Sequence, residues 1–219
     1  MADVLENVEL ETAVGADACV IWLHGLGADG NDFVPIVPEL GLKSAIRFVF
    51  PHAPMQPVTI NGGMVMRAWY DISDAAIRRE DAAGVSASQK HVEALIARER
   101  GRGIPASRIV LAGFSQGGAI ALHTGLRHAE PLAGVMALSC YLPLAERLPM
   151  EAAAINRGVP IFMAHGLSDP IVPYPRAVES KQFLEGLGYR IDWHQYPMPH
   201  SVCMEEVSDI GAWLQRVLP

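Results

Sequence analysis

The sequence predicts an α/β fold: a mostly parallel β-sheet with helices packed on both of its faces. Three observations carry that expectation. Short unbroken apolar runs recur along the chain, each suited in length and composition to a strand buried on both sides. Longer stretches between them repeat apolar residues at three- and four-residue spacing, the period of a helix face. One pentapeptide, Gly113-Phe114-Ser115-Gln116-Gly117, joins a buried-strand pattern directly to a small-residue helix pattern. The 219 residues, half of them apolar, suit a single domain over 1–219 and leave little room for a second.

Taken in order, Val4 to Glu11 carries a weak signal for an antiparallel first strand. Cys19-Val20-Ile21-Trp22-Leu23 reads as a strand entering a Gly-rich loop that runs to Gly30, and Ile46-Arg47-Phe48-Val49-Phe50 as the next, stopped by Pro51 and Pro54. Residues 51–83 form the least regular stretch. Asn61-Gly62-Gly63 predicts a hairpin turn within it and Trp69-Tyr70-Asp71 an aromatic element beside the turn. A connection of that length is expected to be a flap or rim of the functional site. Over 86–100, Val92, Leu95 and Ile96 mark a helix face, with Ser86 as its N-cap and Gly101 as its stop. Strands follow at 109–112, 134–139, 159–164 and 189–196, with a helix over 175–187 between the last two. Val207, Ile210, Leu214 and Val217 form one stripe of a closing helix.

Composition narrows the function. A formal charge of -7 with no basic tract argues against nucleic acid and against anionic membrane surfaces; the local exception, Ile77-Arg78-Arg79, is too short to form a patch. No apolar run is long enough to span a bilayer, and Met1-Ala2-Asp3-Val4-Leu5-Glu6 has no signal-peptide character, so a cytoplasmic protein without stable membrane insertion is expected. Cys19, Cys140 and Cys203 are odd in number, lack C-x-x-C spacing and read as buried reduced thiols.

The chemistry is concentrated in the pentapeptide. G-x-S-x-G between strand and helix is a nucleophile elbow, in which the glycines permit a sharp, close-packed turn and the serine is presented at its tip. A serine hydroxyl needs a base oriented by a carboxylate. The expected chain order, Ser then Asp then His, is met by Ser115, Asp169 and His200, the latter two lying just past predicted strands. Asp192 and Asp209 are rivals by order alone, but one sits mid-strand and the other follows His200 on a helix. The oxyanion needs two N–H donors. Gln116 supplies one and Leu26, in His24-Gly25-Leu26-Gly27, the other.

The chain resembles the carboxylesterase, lysophospholipase and acyl-protein thioesterase family of α/β-hydrolases. The resemblance rests on Leu23-His24-Gly25-Leu26-Gly27, Pro51-His52-Ala53-Pro54, Trp69-Tyr70-Asp71, Gly113-Phe114-Ser115-Gln116-Gly117-Gly118, Leu138-Ser139-Cys140-Tyr141-Leu142-Pro143, His165-Gly166 with Asp169, and His200-Ser201. It implies the α/β-hydrolase fold without a separate lid domain, Ser115, Asp169 and His200 as the triad, and Leu26 and Gln116 as oxyanion donors. It also implies hydrolysis of carboxylic esters, extending in some members to thioesters on acylated proteins or to lysophospholipids. Tyr141 stands where several eukaryotic relatives have Trp, which bears on the acyl pocket. Leu26, Trp69, Ile72, Tyr141 and Val172 are the expected walls of that pocket, for a small-molecule or lipid-like acyl ester.

Three rival readings are weaker. Gly25-Leu26-Gly27-Ala28-Asp29-Gly30 matches a dinucleotide fingerprint, but no clean helix opens after Gly30 and the acidic residue expected at the end of the second strand is replaced by Pro51-His52. A non-catalytic ligand-binding protein of the same fold is the alternative function, although all three triad positions are filled. Dienelactone-type chemistry with a cysteine nucleophile is disfavoured by the serine at the elbow. Among the remaining histidines, His24 and His165 are expected to brace loops and His52 to be structural. His91, His123, His128 and His194 are expected to have no special partner. No metal or other cofactor is expected.

Overall fold

A computed structural model describes residues 4–74 and 80–219; the basic run at 77–79 lies outside them. Seven strands form one sheet in the order β1-β3-β2-β6-β7-β8-β9. They are β1 (Asn7–Glu11), β2 (Ala18–Leu23), β3 (Ile46–Pro51), β6 (Ile109–Phe114), β7 (Gly134–Leu138), β8 (Ile161–Gly166) and β9 (Ile191–Tyr196). Only β1 runs antiparallel to its neighbour, pairing Val8 with Phe50; the other pairs of this sheet are parallel. β4 (Met55–Val58) and β5 (Met64–Arg67) make a separate antiparallel hairpin. Its connection uses Gly62 and Gly63 at φ of 68° and 79°, a conformation open to glycine at little cost.

The apolar runs are unbroken because both sheet faces are covered. Along β2, Cys19, Ile21 and Leu23 join one core, while Ala18, Val20 and Trp22 join the other. The first core is closed by α1 (Ala82–Gly101), α2 (Gln116–Gly125) and α4 (Tyr174–Gly186), through Val92, Leu95, Ile120 and Leu184 among others. The second is closed by α5 (Met204–Val217), through Val207, Ile210, Trp213 and Leu214, together with a 3-10 segment over Val34–Leu40. A short α3 (Leu148–Glu151) lies at the edge of the first core. Full burial of each Val, Leu, Ile or Phe contributes about 1.5–3 kcal/mol, so a one-residue slip of any central strand would misplace several such terms at once.

Several predicted boundaries move. α1 starts at Ala82 rather than near Ser86, because the Asp81 carboxylate accepts the Gly84 N–H at 2.9 Å and caps the helix five residues before Ser86. Ser86 is inside the helix, its hydroxyl donating to the Ala82 carbonyl at 2.8 Å. At the other end Gly101 is still helical, and the left-handed residue is Gly103 at φ 97°. The strand expected over 189–196 begins at Ile191.

Candidate active site

The chain order of the sheet creates the site. From β2 the chain moves outward to β3, then returns to place β6 on the opposite side of β2, so the loops after β2 and β6 diverge at a topological switch point. Leu23 pairs with Gly113 at the ends of these strands, setting His24-Gly25-Leu26 beside Phe114-Ser115-Gln116. Ser115 has φ 55° and ψ -121°, an unusual conformation for a residue with a side chain. The flanking glycines allow the turn. A Cβ on Gly117 would stand 2.3 Å from the Leu23 carbonyl oxygen, and one on Gly113 would stand 2.3 Å from the Gly117 backbone.

Three loops at the same edge of the sheet bring together Ser115, after β6, Asp169, after β8, and His200, after β9. His200 Nε2 lies 2.9 Å from Ser115 Oγ, and His200 Nδ1 lies 2.7 Å from Asp169 Oδ2. The second carboxylate oxygen, Asp169 Oδ1, accepts the N–H groups of Ile171 at 2.8 Å and Val172 at 2.9 Å. The acceptor sites of Asp169 are thereby committed, and the carboxylate is fixed in orientation. Phe114 packs its ring against the His200 imidazole, with centroids 4.7 Å apart. The rival carboxylates are occupied elsewhere: Asp192 lies on β9 and pairs with Arg216 at 2.6 Å, and Asp209 accepts from the Tyr196 hydroxyl at 2.7 Å.

Gln116 is the first residue of α2, where a helix has no internal acceptor for its N–H. Its side chain is also engaged: Oε1 accepts the Trp69 N–H at 2.8 Å, and Nε2 donates to the Tyr70 carbonyl at 2.7 Å. Sequence reasoning used only the backbone of Gln116 and missed this tie. On the facing loop, the Ala53 N–H donates to His24 Nε2 at 3.0 Å, which leaves Nδ1 to carry the proton toward the Gly25 carbonyl at 2.7 Å. Burial holds the His24 pKa below its ordinary value, consistent with a neutral ring bracing the loop that carries Leu26. His165 is likewise lowered by burial and donates Nε2–H to the Val172 carbonyl at 2.8 Å, and His52 Nδ1 accepts from the Gly30 N–H at 3.0 Å. Gly30 owes its identity to packing, since a Cβ there would lie 2.4 Å from the Phe50 carbonyl oxygen.

A cavity of about 300 Å³ opens at Ser115 and Gln116. Of the expected walls, Leu26, Ile72, Tyr141 and Val172 line it. Trp69 does not. Its indole N–H donates to the His24 carbonyl at 2.8 Å, which turns the ring into the core, and the neighbouring Tyr70 lines the cavity instead. The walls missed from sequence are Ile60, Asn61, Tyr70, Pro170 and Ile171. Ile60 and Asn61 arrive from the hairpin connection, of which the sequence signals only the turn Asn61-Gly62-Gly63. Asp71 holds that connection, accepting the Thr59 N–H at 2.7 Å and the Thr59 hydroxyl at 2.6 Å.

Three histidines expected to be solitary have partners. His128 Nδ1 lies 2.7 Å from Glu93, His123 Nε2 lies 3.2 Å from Gln89, and His194 lies between Asp192 at 3.0 Å and Asp209 at 3.3 Å. The contacts of His128 and His123 with α1 and of His194 with Asp209 on α5 join distant elements, which periodicity along the chain does not encode, whereas Asp192 and His194 are neighbours on one face of β9. Among the described residues no group of three or more His, Cys, Asp or Glu side chains could hold a metal ion, and no helix is long and apolar enough to cross a membrane.

Comparison with known proteins agrees with this architecture. The family model for phospholipases and carboxylesterases matches residues 8–218. The chain is 42% identical over 216 residues to acyl-protein thioesterase 1 of Neurospora crassa, spanning 92% of this chain and 87% of that one. It is 40% identical over 214 residues to the protein of the same name in Gibberella zeae, spanning 92% and 91%. Among solved structures it is similar to acyl-protein thioesterase 2 of Zea mays, with a TM-score of 0.88 at 28% identity, covering 98% of this chain and 100% of that one. It is equally similar to Arabidopsis thaliana SOBER1, with a TM-score of 0.88 at 30% identity over 92% and 99% of the two chains. The chain therefore belongs to the phospholipase/carboxylesterase family and is a hydrolase of the α/β-hydrolase fold.

Proposed function

We propose that the chain is one catalytic unit, a cytoplasmic serine hydrolase that cleaves acyl esters and thioesters through an acyl-enzyme on Ser115, and that acylated proteins are among its substrates. The observation that carries this reading is the hydrogen-bonded series Asp169–His200–Ser115, at 2.7 and 2.9 Å, standing at the mouth of an apolar 300 Å³ cavity. His200 Nε2 takes the proton from Ser115 Oγ as that oxygen bonds to the acyl carbon. Asp169 holds Nδ1 protonated and stabilises the imidazolium. The carbonyl oxygen becomes an oxyanion held by the Leu26 and Gln116 N–H groups, the latter reinforced by the N-terminal end of α2. Collapse breaks the bond to the alcohol or thiol, which leaves with the proton from His200. Water then gives its proton to His200 and attacks the acyl carbon, and Ser115 leaves reprotonated with the free acid as product. The preference for an acyl chain over a charged acid follows from the walls, Leu26, Ile60, Ile72 and Val172.

The test is hydrolysis of p-nitrophenyl esters from acetate to palmitate by wild type and Ser115→Ala. Removal of the hydroxyl is expected to lower kcat by on the order of 10⁴–10⁶. A variant that keeps more than about a tenth of wild-type turnover, far outside that range, would refute the mechanism. A folded wild type inert toward every chain length would instead favour a ligand-binding protein of the same fold. A palmitoylated peptide assayed in parallel with its oxygen-ester analogue then tests the thioester assignment.

A further inference from the structure

Tyr141 faces two spaces. One side of it lines the 300 Å³ cavity that holds Ser115. It also lines a separate groove of about 220 Å³ formed with Leu142, Ala145, Arg176, Glu179, Ser180 and Phe183 along α4. The ring is the element common to both. It is held from the cavity side by its hydroxyl, 2.8 Å from the Tyr70 hydroxyl, and from the groove side by the Arg176 guanidinium, 4.4 Å above the ring centroid. Both phenols are buried, and burial raises their pKa values, Tyr141 to about 12, so the pair is neutral at physiological pH and joined by an ordinary hydrogen bond. The following residue is fixed as well, the Leu142 N–H donating to Ser180 Oγ at 3.0 Å. Packing alone would be served by two phenylalanines. The paired hydroxyls add a directional tie across the end of an apolar cavity.

We infer that Tyr141, clamped between Tyr70 and Arg176, is the partition that ends the acyl pocket and sets the longest chain it accepts, with the groove along α4 as the path an acyl chain takes once the ring is removed. This rests on the proposed hydrolase reading. A chain that stops at Tyr141 leaves further methylenes without a buried place. Opening the partition offers them Leu142, Ala145 and Phe183 beside the polar Arg176, Glu179 and Ser180, and burial of even one methylene against the apolar members favours the longer substrate by about tenfold.

The experiment compares kcat/KM across p-nitrophenyl esters from acetate to palmitate for wild type, Tyr141→Ala and Tyr141→Ala/Ala145→Trp, each checked for folding by its thermal transition. In Tyr141→Ala the optimum moves to longer chains, and the laurate-to-butyrate ratio rises on the order of tenfold. The added Trp refills the groove and reverses that rise. A folded Tyr141→Ala with an unchanged profile overturns the partition, and a rise that survives Ala145→Trp overturns the groove as the path. Where Tyr141→Ala does not fold, Tyr141→Phe keeps the ring and removes only the tie to Tyr70; a rise of about threefold in the ratio is expected, smaller than one buried methylene, and no rise overturns the inference. Wild type without Ser115-dependent turnover would remove the hydrolase reading itself, whereas normal turnover with an unaltered profile removes this inference alone.

Discussion

Trp69 donates its backbone N–H to the Gln116 side-chain oxygen at 2.8 Å, although 47 residues separate them in sequence. The same amide donates to the Tyr70 carbonyl at 2.7 Å, so one side chain ties the 69–70 segment to the first turn of α2. The residue proposed to supply an oxyanion N–H thus anchors a wall of the acyl pocket. Gln116→Ala leaves a buried Trp69 N–H without its acceptor, at a cost of about 1–3 kcal/mol. Gln116→Glu keeps that acceptor but sets a carboxylate oxygen against the Tyr70 carbonyl. Urea midpoints and kcat are expected to fall in both variants. An unchanged midpoint in Gln116→Ala would show that the tie adds nothing.

Ser115 sits in a strained backbone conformation at the tip of the turn. Its φ of 55° with ψ of -121° belongs to a sparsely populated region, worth of order 1–3 kcal/mol. Glycine relieves that strain, offset by about 0.5–1 kcal/mol from its greater freedom in the unfolded chain. Ser115→Gly is expected to be about 1 kcal/mol more stable than Ser115→Ala, a difference of roughly 2–4 °C in Tm, with both inactive. Equal melting temperatures would mean that the turn stores no strain.

Two buried groups tilt stability against pH in opposite directions. Desolvation raises the Glu206 pKa from 4.5 to about 8, so between those values the folded state holds a proton the unfolded state has released, and stability falls as pH rises through that window. Desolvation lowers His123 from 6.5 to about 4, so there the unfolded state binds the extra proton, and stability falls as pH drops from 6.5 toward 4. Each effect is on the order of 3 kcal/mol, for Glu206 at pH 7 and for His123 near pH 4. Glu206→Gln should therefore raise Tm by an amount that grows between pH 5 and pH 8, read from thermal melts across that range. A gain independent of pH would assign the effect to packing rather than ionisation.

Elements governed by local physics are legible in the amino-acid order. Unbroken runs such as Cys19–Leu23 are strands because both sheet faces are covered, and the G-x-S-x-G turn lies between strand and helix because Gly113 and Gly117 permit the approach. The positions of Asp169 and His200 just past strands were legible for the same reason. Other features depend on sheet order and emerge only from the packing of the folded chain. It placed the loops after β2 and β6 side by side, turned Trp69 into the core and Tyr70 into the cavity, and moved the cap of α1 from Ser86 to Asp81. It also joined Tyr70 to Tyr141 across 71 residues. Periodicity reports which face of an element is apolar. Which neighbour meets that face, and which of two adjacent aromatic rings lines a cavity, is fixed only when crossover connections bring distant strand ends together.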